Sequence, residues 1–447
     1  MPYVPATGDE MTAMLRTIGA ERVEELFEPV PHEIRLKRPL NLPPPMSEPE
    51  LMAHLRKLAA EDSSTWLSFL GGGIYPHYIP AVVGHLAGRA EFLTSYTPYQ
   101  SEASQGTLQA IFEYQSLICM LTGMDISNAS MYDGASALAE AALMACRAGS
   151  KRNLSISAGV HPQYREVIRT LGSAMGLALR EIPLSENGQT MDPGQFLDGE
   201  TAAVLIQSPN YFGCIEDLKI AADSAHKQGA LLVACAAEAL SLGLLKSPGS
   251  QGADIFVAEG QSFGLPQSFG GPLLGIMAAR KEQLRRMPGR LVGQTVDRRG
   301  NTGYVLTLAA REQHIRREKA TSNICTNESL MALRAAVYLC TLGPGGLRDV
   351  ARLNLLKARY AQQRIASIPG FRTAFSASVF NEFTVLTPVP VPEVLERLRG
   401  LQIHGGIDVS PHMPRGQNAL LVCITEVHSK EDIDRLCTAL AEGGREP

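Results

Sequence analysis

The chain has 447 residues, 45% of them hydrophobic and 19% charged, with 41 lysines and arginines against 45 aspartates and glutamates. This composition gives ample core for a soluble protein, and the net charge of −4 argues against a general binder of nucleic acid or anionic membrane. The eight cysteines form no CxxC and no Cys/His cluster, which argues against structural zinc and fits a reduced, cytoplasmic protein.

The opening MPYVPATGDEM has no basic stretch followed by an apolar core, so no secretory signal is expected. Residues 1–65 read as helical pieces broken by proline-rich joints such as Pro39-Leu40-Asn41-Leu42-Pro43-Pro44-Pro45. An arm of this size has too little core to stand alone and is expected to wrap the body or a partner. Gly71-Gly72-Gly73-Ile74-Tyr75 follows as a flexible or close-approach turn. Next, Tyr96, Thr97, Tyr99 and Gln100 make a polar aromatic loop, whose phenols offer hydrogen bonds and ring faces to a flat ligand. The plain alternative is a loop that caps the domain edge.

From 66 to 330 short β-rich runs (Asn153–Ala158, Ala202–Gln207, Ala230–Cys235, Asp254–Ala258, Leu273–Ala279) alternate with helical stretches such as Ala135–Arg147 and Asp217–Gln228. Such alternation predicts a large α/β domain with a mainly parallel sheet. No G-x-G-x-x-G follows a strand and no GxxxxGK[ST] occurs, so dinucleotide and P-loop binding lack support. The longest low-charge run, Ala230 to Leu245, is too short to span a bilayer. Small residues 128–137 lead into the Ala135 helix, whose free N–H groups suit an anion, although tight packing on the sheet explains them as well.

Gly260-Gln261-Ser262-Phe263-Gly264 fits the G-x-S-x-G elbow of serine hydrolases, which needs a strand before it and a helix after it. Here Pro266, Gly270, Gly271 and Pro272 follow, and that run does not open a helix. The context is strand–loop–strand, and no Ser/His/Asp set is evident. The mixed-sign run 311–319 reads as a solvated helix face. Residues 331–447 then predict a smaller α+β domain: helices Leu330–Leu342 and Gly346–Ile365, strand Glu382–Thr387, helix Pro392–Arg399, strand Ala419–Thr425, and a helix capped by Ser429.

FLGGGIYPHYIP, YTPYQSEASQGTLQAIFEYQ, NASMYDGASALAEA, PNYFGCIEDL, GQSFGLPQSFGGP and REQHIRREKATSNICTN occur in that order. Together they resemble the amino-terminal half, or separate first subunit, of glycine decarboxylase, the P-protein of the glycine cleavage system. The resemblance runs from about residue 10 to the end. It implies the type I pyridoxal-phosphate (aspartate-aminotransferase-like) fold, with a large parallel-sheet domain and a smaller α+β domain. In the family's catalytic half a lysine holds the cofactor as a Schiff base. Laid on this sequence, that lysine position falls on Gln261, and no lysine occurs between Lys246 and Lys281. The acidic partner of the pyridine nitrogen falls on or near Cys235. An amide forms no Schiff base and a thiol replaces a carboxylate poorly, so GQSFG reads as a vestigial cofactor loop.

The resemblance further implies pairing with a lysine-bearing second subunit as a heterodimer or heterotetramer. Pyridoxal phosphate would be held by that partner, and the lipoyl arm of the H-protein would take the aminomethyl group. Tyr96, Thr97, Tyr99 and Gln100 are then the candidates to reach the partner's cofactor. Rival readings are a pseudoenzyme that only stabilises its partner and an independent enzyme using Ser262.

Overall fold

The computed structural model describes residues 6–62, 65–149, 151–413 and 416–442; the first five residues of the arm lie outside them. The chain forms two compact units, 1–65 and 66–447. In the first, the helices Gly8–Ile18 and Glu48–Ala60 each start with a capping box, Thr7 with Glu10 and Ser47 with Glu50, which satisfies two of the orphaned N–H groups at each end. Neither helix contains a buried residue, as expected of a unit too small for a core of its own.

The second unit is built on a seven-stranded sheet. From edge to edge its strands are Ile126–Ser127, Gly275–Ala279, Ile255–Glu259, Leu231–Ala236, Thr201–Gln207, Asn153–Ser157 and Ala178–Ile182. The last five run parallel, and the first two pair antiparallel at one edge. The sheet is therefore mixed with a parallel centre. Every residue of Thr201–Gln207 is buried, because both faces are covered and a central strand needs no polar side. Alternation along the strands still sorts side chains between two apolar layers. Val204, Ile206 and Ala234 enter one layer, and Ala203, Leu205 and Cys235 the other, the period-2 rule at work.

Helix Ser329–Ala366 leads to the smaller sheet and kinks at Gly343 (φ 60°, ψ −179°) before Pro344, where proline lacks an N–H and clashes with the preceding turn. The two expected helices are thus one element with a kink. By length and composition this helix is apolar enough to cross a membrane, but Ala332, Ala335, Tyr338 and Leu339 are buried in the core of the large sheet. Beyond it, an antiparallel sheet in the order Arg372–Thr373, Glu382–Leu386, Ala419–Cys423, Ile407–Asp408 packs against helices Val391–Gly400 and Lys430–Glu442. Ser429 caps the last helix through Asp432 N–H at 3.0 Å.

The charged run 311–319 departs from expectation. It breaks into 3-10 turns on either side of the four-residue helix Gln313–Arg316; residues 313–319 are exposed as expected, but Arg311 and Glu312 are buried. The Arg311 guanidinium donates to the carbonyls of Leu308, Met287 and Gly289, so a buried cation is satisfied by backbone dipoles. An antiparallel hairpin, Leu291–Val296 with Thr302–Thr307, precedes it.

Candidate functional site

Strand Ile255–Glu259 ends at the loop that carries Gln261, which is 1% exposed. Its side-chain amide is fully engaged. Oε1 accepts from Tyr75 N–H at 2.9 Å, and Nε2 donates to the carbonyls of Tyr75 at 3.2 Å and Leu265 at 2.8 Å. The glutamine therefore ties the glycine-rich segment 71–75 to the loop at the position expected for a cofactor lysine.

Glu259 fills the neighbouring place. Its Oε2 accepts from the N–H of Gly134, the first residue of helix Gly134–Ala148, at 3.0 Å. Its Oε1 accepts from Gln261 N–H at 3.0 Å and Leu274 N–H at 3.2 Å. A helix N-terminus presents free N–H groups and the positive end of the helix dipole, which is why it suits phosphates. Here the chain's own carboxylate takes that role, and no side chain fits in between. A Cβ on Gly134 would lie 2.6 Å from the Tyr164 hydroxyl and 2.9 Å from Glu259 N. Burial pushes the Glu259 carboxyl up to about 7 against the pull of its N–H donors.

Cys235 pairs in register with Gln207 and Val257 on the adjoining strands. It is buried in an apolar layer, and burial pushes its thiol up. His161 donates its Nε2–H to the Gly72 carbonyl at 2.9 Å, and its ring lies 4.9 Å from that of Tyr164 and 4.8 Å from that of Tyr211.

Segment 71–77 is fastened from the small-sheet side as well. Glu382 accepts from Gly72 N–H at 2.6 Å and from the Tyr75 hydroxyl at 2.8 Å, and burial pushes its carboxyl up to about 7. Close approach explains the glycine: a Cβ on Gly71 would stand 2.2 Å from Glu382 Oε1. His77 bridges Glu238 at 2.9 Å and Glu426 at 2.8 Å. Burial alone would lower its basicity, but the Glu238 charge and the hydrogen bonds to both carboxylates carry it up to about 10.

Ser262 is buried, and its hydroxyl has no hydrogen-bond partner among the described residues. Without a base to activate it, it has none of the machinery of a nucleophile. The hydrolase reading ends there.

The tyrosine loop lies apart from this filled pocket. Tyr96 and Tyr99 are each 76% exposed, with ring centroids 6.4 Å apart. Gln100 is exposed too, while Thr97 meets the Arg290 guanidinium through Oγ1. The contacts of the loop run within itself and to Arg290, not to Gln261 or Cys235. Sequence reasoning singled out the loop and Gln261, met Tyr75 only at the end of a glycine turn and Glu259 only as a reactive neighbour of Ser262, and gave no role to His161 or Arg290. The only signal was that Glu259 stands two residues before Gln261.

The family model described as glycine cleavage system P-protein matches residues 1–440. The probable glycine dehydrogenase (decarboxylating) subunit 1 of Moorella thermoacetica is 51% identical over 441 residues, covering 98% of this chain and 99% of that protein. Its counterpart from Thermomicrobium roseum is 50% identical over 447 residues, covering 99% of each. A crystal structure of glycine decarboxylase (P-protein) of the glycine cleavage system, in inhibitor-bound form, superposes with a TM-score of 0.90 at 47% identity, covering 99% of this chain and 100% of that one. Likeness in fold alone extends to a Lactobacillus brevis glutamate decarboxylase, at TM-score 0.69 and 12% identity over 94% of this chain and 96% of that one. These neighbours share the type I fold of pyridoxal-phosphate enzymes. The pocket of this chain does not fit that cofactor: an amide stands where the resemblance puts the lysine, a buried thiol near where it puts the acid, and a carboxylate occupies the helix N-terminus that would suit a phosphate.

Proposed function

Since the chain belongs to the glycine cleavage system P-protein family, we propose that it is the cofactor-free half of a two-subunit glycine decarboxylase. The relatives it matches over their whole length are each subunit 1 of a glycine dehydrogenase (decarboxylating), and the chain is a subunit of that kind of enzyme. A second subunit follows from that designation. In our reading this partner carries the lysine and holds pyridoxal phosphate, which when bound supplies the electron sink for loss of CO2 from glycine. The remaining aminomethyl group passes to the lipoyl arm of the H-protein.

One observation carries the reading. The place for a cofactor in this chain is filled by its own side chains, while two tyrosines stand in solvent with no ligand of their own to serve. Tyr96, Thr97, Tyr99 and Gln100 would orient groups in the partner's site and exclude water from it. Borohydride reduction of the complex, followed by peptide mapping of each subunit, tests this. All stoichiometric pyridoxyl label is expected on one lysine of the second subunit, and label at full occupancy on a lysine of this chain overturns it.

A further inference from the structure

Arg290 is 9% exposed, yet among the described residues its guanidinium has a single hydrogen bond, to Thr97 Oγ1, and no carboxylate within ion-pairing distance. A largely buried cation with no counter-charge in the protein is stabilised by the solvent that still reaches it or by a ligand that takes the place of that solvent. Arg311, equally buried, shows the ordinary solution, three backbone carbonyls. Arg290 has no such set. Its five donors form a planar fork suited to the two oxygens of a carboxylate or the face of a phosphate.

The backbone around it is also unusual. The Arg290 carbonyl accepts from Ala129 N–H at 2.8 Å, next to Ser130, whose φ of 119° is a conformation that a serine rarely adopts. Ser130 is held there by Asn128 Oδ1, Glu328 N–H and the Asn327 amide. The other atom of that amide, Asn327 Oδ1, is buried without a hydrogen-bond partner among the described residues. The guanidinium thus touches the exposed tyrosine loop at Thr97, while the strained Ser130 and the unpartnered Asn327 carbonyl are tied to its backbone through Ala129. Strain and unmet polar groups of this kind persist where function over-determines them.

We propose that Arg290 is an oxyanion-binding residue of the composite site, offering its guanidinium to a carboxylate or phosphate held by the second subunit. This deepens the shared-site reading and rests on it. The oxyanion comes from the carboxylate of glycine or from the phosphate of the cofactor; both share the chemistry that a guanidinium fork recognises, and measurement separates them.

The test uses the assembled complex with its lysine-bearing subunit, carrying R290Q or R290K. Glycine affinity is read by equilibrium binding and KM, pyridoxal phosphate affinity by absorbance titration of the cofactor-stripped complex, and assembly by sedimentation. A lost charge-assisted contact weakens one of the two ligands roughly ten- to hundredfold, with R290K recovering part. Selective loss of glycine identifies the carboxylate and selective loss of cofactor the phosphate. Should R290Q assemble poorly, R290A with millimolar guanidinium decides: restored ligand affinity supports the assignment, and restored assembly without it overturns it. Unchanged affinities for both ligands, or a joint fall in both that R290K leaves uncorrected, also overturn it. If R290Q is silent while Y96F and Y99F impair turnover, only this assignment falls. If all three are silent, the shared-site reading falls with it.

Discussion

Replacing Gln261 by lysine restores the amine that a pyridoxal enzyme needs, and the structure indicates that it will not restore a cofactor site. Gln261 makes three hydrogen bonds in a buried position. Lysine has no acceptor, so Q261K strands the buried N–H of Tyr75 and places an ammonium where the glutamine was neutral. An unsatisfied buried donor costs about 1–3 kcal/mol, and with desolvation of the charge the expected loss of stability is about 3–5 kcal/mol. Q261M, which removes all three bonds without adding charge, should cost about 3 kcal/mol at roughly 1 kcal/mol for each. Both variants strand the Tyr75 N–H, but only Q261K adds a buried charge, and its ammonium can still donate to the Tyr75 and Leu265 carbonyls. Urea unfolding followed by fluorescence of Trp66, the single tryptophan, which stacks on His404 at 5.1 Å, measures both. Pyridoxal phosphate followed by borohydride should leave no stoichiometric label at position 261 of Q261K, because Glu259 still occupies the helix N-terminus and Tyr75 still fills the space beside it. A Q261K chain as stable as wild type, or one labelled stoichiometrically at that position, would refute the filled pocket.

The bridge made by His77 gives stability a pH signature. Its folded value of about 10 lies above the unfolded value near 6.5, so its contribution is complete below about 6.5 and fades as pH rises through 10. Unfolding free energy of the wild type minus that of H77Q should therefore shrink between those limits, and a difference independent of pH would contradict the bridge. Y96F and Y99F remove hydroxyls from rings 76% exposed; the isolated chain should change by less than about 0.5 kcal/mol, while the complex loses about 1–3 kcal/mol of transition-state stabilisation by kcat/KM. Equal kinetics for wild type and the double variant would remove the loop from the site. S262A deletes a buried hydroxyl with no partner, so stability should hold or rise and turnover of the complex should persist. Lost turnover at unchanged stability would revive Ser262 as a reactive group.

Much of the architecture was legible along the chain. The runs at 202–207, 230–235 and 254–258 became the central parallel strands within a residue or so at each end, because full burial on both faces leaves an uninterrupted apolar run. The gap between the two expected helices fell on Gly343 and Pro344, where the structure kinks, and Ser429 marked the start of the last helix, both through chemistry that is local. Helix Gln105–Thr122 was not read from the sequence, although its buried Leu108, Ile111, Tyr114, Gln115, Ile118 and Thr122 recur at helical spacing. The hairpin 291–307 was not read either, since its second strand is only half-buried and carries no clean alternation.

The sequence by itself determined that Gln261 cannot bind an aldehyde and that Cys235 is no carboxylate, since both facts follow from residue identity. Only the tertiary structure decided which side chains fill the space around Gln261. Gln261 meets Tyr75 across 186 residues, Glu259 meets Gly134 across 125, and Tyr75 meets Glu382 across 307. Periodicity reports which face of an element is buried, but not which distant polar group stands opposite it. A carboxylate on a helix N-terminus and a guanidinium short of partners are consequences of where separate loops converge, and that convergence is set by the packing of two sheets.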